Sequence, residues 1–479
     1  MKNISLFKNT FYALLLQLTT MLFPLVTSPY ISRVIGASNL GKVNFSSSVV
    51  NWFLVFAIFG TTTYGVREVS RIRDDKHKLS QFFNEILFIK VIITIVTILV
   101  YIPCIFLIGR FSEEALLFSV QGVALIINIF SLDWFFQGIE DYKYITIRSI
   151  SFKILSIIAL FLFVKVREDY VVYAGISIFA LSFSNILNFF YARKYIDLFI
   201  PSVIDTKKHL KALGVFFLSS LVISVYGILD QIYLGFIRGD IDVAFFNRSK
   251  MIYNLGVSIC LSLSNVIMPR INNYFLNDKD KYRELLNNSV DIILWISIPA
   301  STGIAILADK IIYLFAGVEF ADAAISLIVL APLITMVPLG VWNYQQRIIP
   351  LGYEKFGLFN QLIVAFISLL CNLLLIPHIG HIGTAISYLL AESIGTIISL
   401  VYVKRFDKFT IIKRDHIKYV IAALGMTIAV KFIDIRFNTS WSVLVFAIVI
   451  GVVTYVTILL FTKDNITMRI MKNYFKVRS

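Results

Sequence analysis

Fourteen apolar stretches, each long enough to cross a bilayer, govern what this chain of 479 residues can fold into. They fall near 11–32, 45–66, 82–108, 116–137, 148–164, 171–191, 213–237, 243–268, 290–316, 322–346, 356–376, 382–403, 417–434 and 441–461. A spanning helix needs about 20 apolar residues, and each stretch is read as one. The expected fold class is therefore all-α, a polytopic membrane protein. Composition agrees, because 58% hydrophobic and 15% charged residues provide too little charge to cover a soluble surface. The first stretch, preceded by Lys2 and Lys8, is too long for a signal-peptide core and lacks a small-x-small cleavage pattern, so it is expected to remain as a helix.

The formal net charge of +15 is unevenly placed. With a cytoplasmic N-terminus, about 32 Lys and Arg fall in inner loops and tails and about 9 in outer ones, leaving Lys90, Arg248 and Lys250 inside helices. That asymmetry is topogenic, so the basic excess implies no nucleic-acid partner. An even number of crossings returns the C-terminus to the cytoplasm, where Lys463, Arg469, Lys472, Lys476 and Arg478 agree. Cys104, Cys260 and Cys371 are odd in number and lie in apolar runs, which supports neither a disulfide framework nor a metal site.

Part of the chain occurs twice. The run Y-I-S-R-V-I-G-A-S-N-L-G-K-V-N-F-S-S-S-V-V-N from Tyr30 aligns without gaps on Y-L-G-F-I-R-G-D-I-D-V-A-F-F-N-R-S-K-M-I-Y-N from Tyr233. Gly36 falls on Gly239, Asn44 on Asn247, Ser46 on Ser249, Asn51 on Asn254 and, further on, Arg67 on Arg270. A second match, Gln137-Gly138-Ile139-Glu140 with Leu351-Gly352-Tyr353-Glu354, has a longer offset, so an insertion separates the two. The basic linker from Arg193 to Lys211, with Pro201, divides six helices from the next six, and the last two helices have no counterpart. A duplicated membrane hairpin is the mark of a transporter.

Several motifs lead nowhere. Gly36 to Lys42 copies most of a phosphate-binding loop, but Val43 stands where Ser or Thr must hold Mg²⁺, and no strand precedes it. Asp278 with Asp280, Asp240 with Asp242, and His378 with His381 have metal-ligand spacing without further ligands. No nucleophile, base and orienter are grouped, so no catalytic residue, no metal and no enzyme are expected. Pro24 and Pro29, and in the second half Pro299, Pro332 and Pro338, remove backbone donors, and a kink or unwound turn is expected at each.

A charge at the bilayer centre costs about 2.5–3.5 kcal/mol on insertion scales, so deep charges need a partner or a cavity. Lys90, Asp230, Arg248, Lys250 and Glu392 are the deep ones. Counted from the turn 238–242, Asp230 and Arg248 lie at matching depth, roughly 9–12 Å along their helices, and could pair across the hairpin. Lys250 is about 200° further round the helix than Arg248, on the face of Asn247, Asn254 and Ser258. Asn44, Ser47 and Asn51 form the matching stripe in the first copy. The two stripes either line one central cavity or join packed helices through amide bonds.

The segments Y-I-S-R-V-I-G-A, W-F-F-Q-G-I-E-D-Y-K-Y from Trp134 and Q-R-I-I-P-L-G-Y-E-K from Gln346 carry a resemblance. The chain resembles the Wzx-type polysaccharide flippases, in the superfamily that includes the MATE multidrug exporters and the lipid II flippases. The resemblance covers nearly the whole chain. It implies two pseudo-symmetric six-helix lobes, 1–200 and 201–404, followed by two appended helices and a basic tail, 405–479. It also implies alternating access around a central cavity, in a bacterial cytoplasmic membrane. The implied substrate is an undecaprenyl-diphosphate-linked oligosaccharide destined for capsule, O antigen or another exopolysaccharide. Membrane lipids, and polymerase and chain-length components of the same pathway, are the implied partners. In that setting Lys250, Arg33 and Lys90 are candidate anion contacts, and Asn44, Asn51, Asn247 and Asn254 candidate polar contacts. Asp230 with Arg248 is a candidate structural or gating pair. No cofactor is expected, and a proton, a sodium ion or the membrane potential would drive turnover. The alternatives are a multidrug or cation antiporter and a lipid II flippase of the same fold.

Overall fold

The computed structural model describes residues 6–198, 205–407, 409, 411, 413–436 and 440–476. Within helices the side chains of 6, 7, 263–270, 272, 273, 276, 434–436, 470 and 472–476 are outside the description. The expected lobe junction at 200/201, Arg478, and the side chains of Arg270, Lys472 and Lys476 therefore fall outside it. Among the described residues all regular structure is helical. Large apolar side chains such as Leu107 and Phe461 are more than four-fifths exposed, the inverse of a soluble surface and the pattern a lipid solvent requires.

Eleven helical stretches among the described residues are long and apolar enough to cross a membrane, where sequence gives fourteen segments. Two of the eleven each carry two sequence segments and break at a glycine: Lys8–Ile72 at Gly36 (φ 78°, ψ 171°) and Glu354–Lys404 at Gly380 (φ 54°, ψ −130°). Asp240–Asn277, which holds the eighth segment, is not among the eleven. Pro24 and Pro29 produce no unwound turn, since Gly36 alone departs from helical dihedrals between Leu6 and Ile58. A proline removes one donor, whereas Gly36 adopts a backbone that side chains forbid.

The chain forms two compact units, Met1–Ile241 and Asp242–Ser479. In the first, Leu6–Ile58, Thr61–Ile72, Lys76–Leu107, Ala115–Ile127, Tyr142–Phe163 and Tyr170–Leu181 are followed by Lys207–Gly227 and Leu229–Arg238. These last two group with the first unit through contacts that sequence spacing does not reveal. Gly235 is pressed against the Phe45 ring, and the Tyr64 hydroxyl meets His209 at 2.7 Å. The core of this unit is aromatic: Phe82, Phe83, Trp134, Phe135 and Phe136 are all buried, and Gly65 admits the Trp134 ring where a Cβ would collide.

The second unit runs through Lys279–Ile306, Ala308–Ala316, Ala323–Leu330 and Leu333–Asn343 to a π-turn at Tyr344–Ile348, then Glu354–Lys404. The appended helices Ile417–Arg436 and Trp441–Phe461 pack on Lys279–Ile306, with the Tyr455 hydroxyl donating to the Trp295 carbonyl at 3.0 Å.

The repeat is visible in the backbone. Gly239 has φ 95° and ψ −175°, the same unusual region as Gly36. At the same offset, Asp75 caps Lys76–Leu107 by accepting from His77 N and Lys78 N, and Asp278 caps Lys279–Ile306 by accepting from Lys281 N. The N–H of Lys78 and of Lys281, together with their ammonium groups, holds each carboxyl below its ordinary range. Both caps are therefore present at neutral pH and weaken only as pH falls through the carboxylate range. Nothing lies within 4 Å of a Cβ built on Gly239, so Gly239→Ala isolates backbone strain. The expected loss is about 1–3 kcal/mol, read as a lower unfolding midpoint of the purified protein.

Candidate functional site

The polar residues of the first unit begin around the Gly36 break. Arg33, one turn before it, is exposed and donates Nη1 to the Pro29 carbonyl at 2.7 Å. Beyond it, Asn44 is half-buried and its Nδ2 finds no partner among the described residues. Ser48 donates to the Asn44 carbonyl at 2.9 Å and meets the Gln231 Oε1 at 3.0 Å. Asn51 is exposed, with Nδ2 only 3.5 Å from Ser47 Oγ. Asp230, 3% exposed, turns Oδ1 onto the N–H of Gln231 at 2.7 Å.

Lys90 occupies a different place. It is 2% exposed and donates Nζ to the Ser131 carbonyl at 2.6 Å, where the helix after Ala115 loses its regular geometry. The ammonium thus satisfies a carbonyl that a broken helix leaves without an intrahelical donor. Beside it, Arg148 joins Asp133 at 2.9 Å and Asn188, and Asn188 returns Nδ2 to Asp133 at 3.1 Å. This network escapes sequence reasoning, because its members are scattered over three helical segments in apolar runs.

In the second unit Asn247 donates to the Val243 carbonyl at 3.0 Å and Asn254 is exposed. Arg248, 8% exposed, lies over the Phe320 ring, 5.9 Å from its centre. Lys250 takes another direction, with Nζ 5.3 Å from the Phe246 ring and 5.2 Å from Tyr388. Glu392 lies one helical turn past Tyr388, within Coulombic reach of Lys250. Tyr253 meets Tyr388 edge-on at 6.0 Å. Lys250, Glu392, Tyr388 and Tyr253 therefore form one cationic, carboxylate and aromatic group inside apolar helices. The i, i+4 spacing of Tyr388 and Glu392 is the signal that could have disclosed the tyrosine. Asp230 belongs to the first unit and Arg248 to the second.

The motifs with metal-ligand spacing have other partners. Asp240 pairs with Arg110 at 2.7 Å, Asp242 accepts from His381 N at 2.8 Å, and the His381 ring meets Ser326 Oγ at 2.7 Å. Among the described residues no three His, Cys, Asp or Glu side chains are grouped to hold a metal. Around Asp240 the first unit has a cleft of about 230 Å³, lined by Lys42, Phe45, Arg110, Glu113, Glu114, Phe118, Gly239 and Asp240. Lys42 pairs with Glu114 at 2.5 Å, and Gly41 meets the Asp240 carbonyl so closely that a Cβ would collide. Charge reversal at Arg110→Asp is expected to reduce activity and Arg110→Asp with Asp240→Arg to recover it. A partly exposed pair is worth at most about 1 kcal/mol, so the loss should be several-fold rather than complete in an assay of the protein's activity.

Helices of membrane-spanning length, a duplicated glycine break and charged side chains held within apolar helices define a multi-pass membrane transporter. The chain matches the family described as "Polysaccharide biosynthesis protein" over residues 6–275, more than half its length, and it belongs to that family. A putative O-antigen transporter of Escherichia coli strain K12 is 25% identical over 409 residues, covering 84% of this chain and 97% of that protein. A probable low-salt glycan biosynthesis flippase of Haloferax volcanii is 22% identical over 184 residues, 38% of each chain. Among solved structures, a lipid II flippase in an inward closed conformation has a TM-score of 0.76 at 18% identity, covering 95% of this chain and all of that one. An inward-facing MATE-family multidrug transporter has a TM-score of 0.67 at 16% identity, covering 80% of this chain and 94% of that one. These two share its fold.

Proposed function

We propose that the protein is a flippase that turns an undecaprenyl-diphosphate-linked oligosaccharide from the inner to the outer leaflet of a bacterial cytoplasmic membrane. Both termini lie in the cytoplasm, and no chemical step occurs. The observation that carries this reading is the match to an O-antigen transporter along 97% of that protein's length. The side chains fit the cargo: Lys250 and Arg33 supply positive charge for a diphosphate, and Asn44, Asn51, Asn247 and Asn254 supply amides for sugar hydroxyls. Alternating access moves the cargo, and an ion gradient or the membrane potential drives the cycle. Polymerase and chain-length components receive the product.

The multidrug fold neighbours favour a cation antiporter as the second reading. Such a carrier wants a bare carboxylate deep in one lobe, whereas Glu392 has Lys250 beside it. Expression in a flippase-deficient strain decides between the two. Restored surface glycan without drug resistance supports the flippase, and drug resistance without restored glycan overturns it.

A further inference from the structure

Each unit holds one of its helices by the same contact. In the first, Glu85 on Lys76–Leu107 takes Lys208 Nζ at 2.9 Å and His209 Nε2 at 2.9 Å from the start of Lys207–Gly227. In the second, Asp291 on Lys279–Ile306 takes Lys413 Nζ at 3.0 Å and His416 Nε2 at 2.9 Å from the entry to Ile417–Arg436. The two carboxylate-bearing helices are those capped in register by Asp75 and Asp278. All four of Glu85, Tyr64, His209 and His416 are buried.

The histidines differ at the other ring nitrogen. His416 Nδ1 accepts the backbone N–H of Lys413 at 3.2 Å. A backbone N–H cannot become an acceptor, so His416 keeps its hydrogen on Nε2, and a second proton would set two donors face to face. His209 Nδ1 meets the Tyr64 hydroxyl at 2.7 Å instead, and a hydroxyl can turn. With neutral His209 the hydroxyl donates to Nδ1 and Nε2–H donates to Glu85. With the imidazolium, Nδ1–H donates to the hydroxyl oxygen and Nε2–H forms an ion pair with Glu85. The Nδ1–hydroxyl and Nε2–Glu85 contacts persist in both states, and only the hydroxyl hydrogen changes direction.

We propose that His209 is a proton-binding site of the first unit, which converts a hydrogen-bonded clamp between Lys207–Gly227 and Lys76–Leu107 into an ion-paired one, and that His416 is its fixed counterpart. The bound proton comes from solvent and stays on Nδ1. Among the groups neighbouring His209, from Lys76–Leu107 come Glu85 and the neutral Gln81, which donates to Glu85 at 3.2 Å. From Thr61–Ile72 come Tyr64, Arg67 at 5.4 Å over its ring, and Glu68 paired with Arg67 at 2.9 Å. On its own helix Lys208 opposes a second cation, sharing Glu85 with it. Asp205, just before that helix, adds a further acid and donates its N–H to Glu85 at 3.3 Å, and the direct contact of His209 with Glu85 decides the charge.

The test is ¹⁵N-histidine NMR of the full chain in lipid nanodiscs across about pH 5–8, the range in which histidine changes charge. The chain has five histidines, so His209 is assigned by the signals that Tyr64→Phe displaces and His416 by those that His416→Asn removes. The expected result is a His209 that gains a second ring proton as pH falls while His416 stays singly protonated. A His209 that keeps one ring proton throughout, or a His416 that titrates with it, overturns the proposal. A second arm rests on the flippase reading. Tyr64→Phe should flatten the pH dependence of glycan export, whereas His416→Asn should lower protein abundance and leave that dependence intact. An unchanged pH profile in Tyr64→Phe, with the NMR result as expected, refutes the regulatory role and leaves the proton site standing.

Discussion

Lys250→Ala is expected to cut glycan export by tenfold or more at equal membrane abundance, because a charged hydrogen bond to an anionic cargo is worth about 1.5–3 kcal/mol. The ammonium lies between the Phe246 and Tyr388 rings and within Coulombic reach of Glu392. Removing it takes the nearby positive charge from Glu392, which costs stability as well as cargo binding. Two effects are thus mixed in the single variant, and a second substitution separates them. Lys250→Ala with Glu392→Gln should recover abundance without recovering export, since the orphaned charge is gone while the cargo contact is still missing. Lys250→Arg keeps the charge and should retain much of the activity. Export assays in a flippase-deficient strain, normalised to membrane protein, check all three. Wild-type export by Lys250→Ala would remove Lys250 from the cargo path.

The largest effect on folding is expected at Arg347. Its guanidinium is fully buried in the π-turn, with Nε 3.2 Å from Asp407 Oδ2, Nη2 on the Asp407 carbonyl at 3.2 Å and Nη1 on Asn343 Oδ1 at 2.9 Å. Trp342 and Phe409 present their rings to it at 5.8 and 5.3 Å. Arg347→Ala leaves Asp407 without its guanidinium, an expected loss of about 3–5 kcal/mol. The variant should be nearly absent from membranes. Arg347→Lys should fall between, because a point ammonium cannot reach the three acceptors that a planar fork reaches. Asp407→Asn should cost less than Arg347→Ala, since the guanidinium retains Asn343 and the Asp407 carbonyl. Membrane abundance and the unfolding midpoint in detergent give this order, and a stable Arg347→Ala would contradict it.

Much of the architecture is legible in the chain because a bilayer permits few structures. Helix positions follow from apolar length, and Gly36 and Gly239 align in sequence and share a backbone conformation that favours glycine. The site is less legible. Lys90 reads as a deep charge in search of an anion, yet its partner is a carbonyl released where the helix after Ala115 breaks inside an apolar run. The grouping of Lys207–Gly227 with the first unit depends on Glu85 and His209, which are 124 residues apart. Periodicity reports the faces of one helix and carries no information about such distant pairs. The π-turn at Tyr344–Ile348 is equally silent, since its residues are ordinary helix formers.

The geometry of Gly36 has a mechanical consequence. At Gly36 two helices meet at a single residue with no slack chain between them, so movement of one rod passes to the other through two torsion angles. The joint behaves as a hinge pin and not as a tether. A pair of spin labels placed on its two sides would therefore register one angular coordinate, and lengthening the joint by inserted residues would uncouple the rods without altering any side chain.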